Sequence, residues 1–131
     1  MCGILVYLSV NQKQKISIFS EALKLQENRG PDDIGYWKYE DFIQLGFRRL
    51  SIIDLDPRSN QPMHSEDKKI AMVFNGEIYN YKELKSYLLN KDINFKTTSD
   101  SEVILQLYKK EGSEGLKKLR GMFSIAICDF N

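Results

Sequence analysis

Cys2 is the residue most open to chemistry, because a small side chain behind the initiator permits removal of Met1 and leaves a free α-amino group on the residue that carries the thiol. With reference pKa values of ~7.7–8.0 for the amine and ~8.5 for the thiol, the amine is partly unprotonated near neutrality and can take the thiol proton directly or through a water. Nucleophile and base then share one residue, and no histidine is required. Composition alone favours a plainer reading, a buried cysteine at the start of a strand, since free Cys is among the most buried residue types. The single histidine, His64, lies in the polar stretch Asn60 to Lys69 and reads as a solvated loop residue; a papain-like Cys–His pair would have to use it. Cys128 alternates with apolar neighbours and reads as core.

Other positions carry groups that could grip or polarise a small substrate. Asn75-Gly76 follows the apolar run Ile70 to Phe74, and Asn-Gly is the strongest short signal for a tight turn, so spacing favours the turn. The residues beyond it, Glu77 to Tyr81, look more like an approach to a helix than a returning strand. A Gly76 N–H and an Asn75 amide at a strand end could instead form an oxyanion hole, worth ~3–4 kcal/mol per donor in hydrolases. Arg48-Arg49 reads as a solvated strand edge, although Arg49 could present its planar fork to a carboxylate. Asp100 falls in the first turn of a helix, where the dipole stabilises a carboxylate without any functional role; as a ligand it would pair with an ammonium. Arg29-Gly30-Pro31-Asp32-Asp33 reads as a turn with charged flanks.

These groups need elements to position them. Gly3 to Ser9 is a β-branched and aromatic run that predicts a buried strand starting almost at the chain end. Ile16, Phe19, Ala22, Leu23 and Gln26 form a helical stripe over roughly Lys15 to Glu27, ended by Gly30-Pro31. Tyr36 to Tyr39 and Phe42 to Phe47 predict a hairpin, with further strands over Leu50 to Ile53, Ile70 to Phe74 and Met122 to Cys128. Asn80 with Glu83, and Ser99 with Glu102, have capping-box spacing, so helices are expected to run from there through Leu89 and Lys109. Antiparallel sheet covered by helices, an α+β fold, is the layer solution for this pattern.

The 131 residues fit one domain, and 42% hydrophobic content is enough to fill its core. With 19 basic against 18 acidic residues, scattered along the chain, nucleic acid and anionic membranes are poor partners. No apolar run approaches the ~20 residues of a membrane span, and the N-terminus lacks the pattern of a signal peptide, so a cytoplasmic location is expected. Two cysteines and one histidine cannot build a four-ligand zinc site without several carboxylates, so no metal is expected.

Taken in order, seven segments resemble the class II, or N-terminal-nucleophile, glutamine amidotransferases, most closely the glutaminase domain of glutamine-hydrolysing asparagine synthetases. They are Met1 to Ile4, Arg29 to Gly35, Arg49 to Asp54, Gln61 to Met63, Asn75 to Tyr81, Ser99 to Leu105 and Gly121 to Phe123, and they span the chain. The resemblance implies an αββα sandwich of antiparallel sheets flanked by helices. It implies that Cys2 is the nucleophile with its α-amino group as base, and that the Asn75 amide and Gly76 N–H form the oxyanion hole. Arg49 would anchor the α-carboxylate of L-glutamine, Glu77 and Asp100 its ammonium, and Leu50, Ser51, Ile52 and Ile53 would line the pocket.

Glutamine would pass through a γ-glutamyl thioester to glutamate and ammonia. The family's domain continues past the position of Asn131, so residues 1–131 are expected to be a C-terminally incomplete glutaminase domain. The synthetase domain that uses the ammonia, a partner on the same polypeptide, would be missing. No cofactor is expected in this chain; ATP and Mg belong to that synthetase domain, and a homodimer is an expectation for the full-length protein only. The acceptor stays open between aspartate and a sugar or other acid, and a non-catalytic remnant is the rival from outside enzymology.

Overall fold

The computed structural model describes residues 2–9, 16–52 and 56–131. Among these described residues, six strands and three helices follow in the order β1 Gly3–Leu8, α1 Ile16–Lys24, β2 Asp33–Tyr39, β3 Ile43–Arg49, β4 Met63–His64, β5 Ile70–Ile78, α2 Tyr81–Leu89, α3 Asp100–Leu116 and β6 Gly121–Asp129. Short 3-10 turns cover Glu27–Arg29 and Pro57–Ser59.

The strands form two antiparallel sheets, ordered β1-β3-β2 and β4-β5-β6. Alternation sorts their faces. Leu45 and Phe47 of β3 meet Ala71 and Val73 of β5 between the sheets, joined by Ile4, Trp37, Ala126 and Cys128. The other face of β5, Met72, Phe74 and Ile78, packs on Leu84 and Leu88 of α2 and on Ile104 and Leu107 of α3. On the far side of the first sheet α1 lays Phe19 and Leu23 over Gly46, where a Cβ would come within 2.9 Å of both. Helix, sheet, sheet and helices make four layers, as the resemblance implies. Each side chain of the fully buried set Leu23, Leu45, Met72 and Leu88 contributes ~1.5–3 kcal/mol by leaving water.

Several local expectations change. Leu50 to Ile52 is not a strand: the Leu50 N–H goes to the Cys2 sulfur and the Ser51 N–H to Asp32 Oδ2, so no ladder continues. Ile53 lies outside the described residues. Asn75-Gly76 is not a turn; β5 runs through it to Ile78, and the ladder with β6 absorbs the Gly76 φ of 147°. The Arg48-Arg49 pair is no solvated edge, since β3 is the central strand of its sheet and both residues are only 7% exposed.

His64 belongs to β4, not to a loop, with its ring 5.7 Å from that of Trp37; burial, then the charge of Lys68, pushes its pKa down. Ser99 caps α3 by accepting the Glu102 N–H, while Glu102 turns to the Lys96 and Thr97 N–H groups. Asn80 precedes α2 as expected, but its side chain reaches the Lys118 carbonyl and the Arg120 N–H instead of capping the helix. The last helix passes Lys109 and continues to Leu116, kinked at Gly112.

Candidate active site

Topology brings the chemistry together at one end of the sandwich. In the first sheet Gly3 opposes Arg48 and Asp33 opposes Arg49, so the start of β1 and the start of β2 flank the end of β3. Cys2 therefore lies beside Arg49 and Leu50. Its Sγ accepts the Leu50 N–H at 3.3 Å and faces the Leu50 carbonyl at 3.5 Å.

The charged turn fixes this corner. Arg29 Nε donates to the Cys2 carbonyl at 3.3 Å, Asp32 Oδ2 accepts the Ser51 N–H at 2.7 Å, and Gly30 lies so close to Arg48 that a Cβ would meet its carbonyl at 2.3 Å. The Arg49 guanidinium donates to Ser59 Oγ at 2.7 Å, to Asn60 Oδ1 and to the Asp56 carbonyl at 3.4 Å. The turn that supplies these acceptors is held by Asp56, which accepts the Arg58 backbone N–H at 2.8 Å and the Arg58 fork at 3.0 and 2.7 Å. Those bonds lower the Asp56 pKa to about 2.

The second sheet supplies the opposite wall. Asn75, Gly76 and Glu77 sit at the end of β5, across from Ser124, Phe123 and Met122 of β6. Asn75 Oδ1 is buried and has no hydrogen-bond partner among the described residues. Asp100 opens α3 and accepts the Ile78 N–H at 3.2 Å.

Between the walls is a cavity of about 280 Å³. Cys2, Arg49, Leu50, Ile52, Asn75, Gly76, Glu77 and Asp100 line it, so eight of the ten residues singled out in the sequence meet there. Ser51 is not on its wall, because its backbone is turned to Asp32. Ile53, the tenth, is outside the described residues. His64 lines a separate cleft with Lys96 and Lys109, away from Cys2. Phe47, Ser59, Gln61, Phe74, Ser99, Ser101 and Met122 line the cavity without having been foreseen. Strand alternation from Arg49 carries a signal for Phe47; Gln61 is a buried residue whose Oε1 takes the Phe74 N–H at 2.5 Å, a tertiary contact with no local signature.

One cation on one wall faces two carboxylates, Glu77 and Asp100, on the other. That pattern complements a zwitterionic α-amino acid. Burial raises the Asp100 pKa above 3.8 against the pull of its backbone hydrogen bonds, and the negative charge of Glu77 adds to the rise. The sign follows from linkage: a raised folded-state pKa means that the native chain holds this proton more tightly than the unfolded one, so stability falls as pH rises from below 3.8 through the raised value. Asp100→Asn keeps an acceptor for the Ile78 N–H and removes that loss. Chemical denaturation at pH 3 and pH 7 should show the variant losing less stability than the unmodified chain over that interval; an equal or larger loss would show that Asp100 carries no such burden.

A four-layer sandwich whose second residue is a cysteine, set beside a cavity with a cation on one wall and carboxylates on the other, has the design of the N-terminal-nucleophile amidotransferases. A family model described as "Glutamine amidotransferase domain" matches residues 1–131, and the chain belongs to that family. Among curated proteins it is 39% identical to "Asparagine synthetase [glutamine-hydrolyzing] 1" of Bacillus subtilis over 100% of this chain and 21% of that protein. It is 44% identical to "Asparagine synthetase [glutamine-hydrolyzing] 3" of Arabidopsis thaliana, over 98% of this chain and 22% of that protein. "Amidase chry2" of Gibberella zeae is 37% identical over 100% of this chain and 21% of its own length. A solved glutamine phosphoribosylpyrophosphate amidotransferase from B. subtilis superposes with a TM-score of 0.59 at 26% identity, over 70% of this chain and 22% of that one. The chain spans about a fifth of the length of the curated relatives it matches.

Proposed function

We propose that this chain hydrolyses L-glutamine to glutamate and ammonia, with Cys2 as nucleophile. The observation that carries the reading is the single cavity on which Cys2, Arg49, Asn75, Gly76, Glu77 and Asp100 converge. Glutamine lies with its α-carboxylate on Arg49 and its ammonium on Glu77 and Asp100, which leaves the side-chain amide directed at the sulfur. The α-amino group of Cys2, freed by loss of Met1, takes the thiol proton, and the thiolate attacks the amide carbon.

The Gly76 N–H and the Asn75 amide receive the charge that develops on the oxygen. The proton on the Cys2 amine passes to the leaving nitrogen, ammonia departs, and a γ-glutamyl thioester remains. Water, deprotonated by the same amine, then releases glutamate. Leu50 and Ile52 form one side of the slot.

The ammonia serves ATP-dependent asparagine synthesis from aspartate in a C-terminal synthetase domain of the full-length polypeptide, where ATP and Mg act; this half needs no cofactor of its own. The names of the asparagine synthetase relatives support that acceptor, whereas the relative named as an amidase carries a similar half under another activity.

The reading is tested on the intact mass of the full-length polypeptide. An active protein should lack Met1 and should gain one adduct on Cys2 with a diazoketone analogue of glutamine. An active protein that keeps Met1 would refute the proposed base.

A further inference from the structure

Arg49 is aimed by a relay behind the cavity. Asp33 lies opposite Arg49 on the neighbouring strand, and Asn60 bridges the two: its Nδ2 donates to Asp33 Oδ2 while its Oδ1 accepts from Arg49 Nη1. That orientation of the amide is the one that satisfies both neighbours, since a guanidinium only donates and a carboxylate only accepts. Asn60 itself does not line the cavity. Its neighbour Ser59 does, and takes Arg49 Nη2 at 2.7 Å from a turn fixed by the Asp56–Arg58 bonds.

From this arrangement we infer that Asn60 is a positioning residue: its amide orients Arg49 for a substrate carboxylate while keeping the Asp33 carboxylate one hydrogen bond away. The inference rests on the reading of Arg49 as the carboxylate anchor. An acid at position 60 would hold the same geometry but place a carboxylate on the guanidinium, where it competes with the substrate for the same positive charge. The amide at this position thus tunes affinity for α-carboxylate substrates without touching them.

The test exchanges the two polar groups. In the full-length polypeptide, N60D combined with D33N keeps a chain of hydrogen bonds and moves the charge onto Arg49. Glutaminase KM for L-glutamine should rise about ten- to hundred-fold, the loss of one charge-assisted contact, with kcat much less affected. Glutamine α-amide, which has no carboxylate to be rejected, should be hydrolysed by the exchanged protein as by the unmodified one. Asn60→Ser, which shortens the acceptor without adding charge, should give a smaller rise in KM and guards against a misfolded double variant.

An unchanged KM in the exchanged protein overturns the inference, as does equal loss with both substrates in the exchanged protein and in Asn60→Ser, which marks a structural role. Failure of the glutaminase reading itself is distinguishable, because the unmodified protein would then release no glutamate at all, and the inference would fall with it.

Discussion

Replacing Cys2 by Ala is expected to abolish glutamate release from glutamine in the full-length polypeptide while leaving product formation from free ammonia intact. Alanine is small enough for Met1 still to be removed, so the variant keeps the terminal amine and loses only the thiol. The neighbours would barely notice: the sulfur exchanges contacts of 3.3 and 3.5 Å with the Leu50 backbone and lies at the margin of the inter-sheet cluster. Stability should therefore fall by ~1 kcal/mol or less, as for a lost weak hydrogen bond and a small side chain.

No second thiol can stand in for Cys2, because Cys128, the other cysteine, is on β6 and does not line the cavity; burial also raises its thiol pKa. Loss of a covalent nucleophile costs several orders of magnitude in kcat. Glutamate release by enzymatic assay, run beside the ammonia-dependent reaction on one preparation, decides the matter. Equal loss with both nitrogen sources would assign Cys2 a structural role.

Local chemistry made parts of this fold legible and hid others. The strands flanking the core announced themselves because their apolar periodicity is strong, and the start of α3 because Ser99 and Glu102 are spaced to satisfy its first N–H groups. Asn75-Gly76 misled because a glycine with positive φ serves a tight turn and an extended strand alike; only β6, whose Phe123 arrives from 47 residues later in the chain to oppose Gly76, determines which. Arg48 and Arg49 misled for a related reason. Charged residues suggest an edge, and centrality in a sheet depends on β1 and β2 both choosing β3.

The site followed the same division. Cys2, Asn75 and Asp100 each offered a chemical option, yet taken one at a time they read as core, turn and helix start; the ordered resemblance of seven segments is what singled them out. Ser59 and Asn60 could not be singled out, since a serine and an asparagine after Pro57 read as turn residues until the Arg49 side chain is seen to end on them.

Gly76→Ala is expected to damage both the fold and the chemistry, and a second glycine separates the causes. Gly76 has φ 147°, and a Cβ there would lie 2.1 Å from the Met122 carbonyl and 2.6 Å from the Phe123 Cα, atoms of the paired strand that cannot move without breaking the ladder. Gly112, in the kink of α3, has φ 62°, but a Cβ there would meet nothing within 4 Å. Gly112→Ala therefore bears the conformational cost alone, ~1–3 kcal/mol, and should leave glutamine kinetics unchanged. Gly76→Ala adds a backbone clash to a similar strain, so its loss in denaturant-measured stability should exceed that of Gly112→Ala.

The β5–β6 ladder can relieve the clash only by shifting the end of β5, and that end carries the Gly76 N–H and the Asn75 amide on the cavity wall. Displacing one such donor costs ~10²–10³ in kcat in hydrolases, so the folded fraction of Gly76→Ala should show at least that loss. Active-site titration with the diazoketone analogue counts competent molecules and keeps unfolding apart from slow turnover. Full kcat per titrated site in Gly76→Ala would remove this end of β5 from the oxyanion hole.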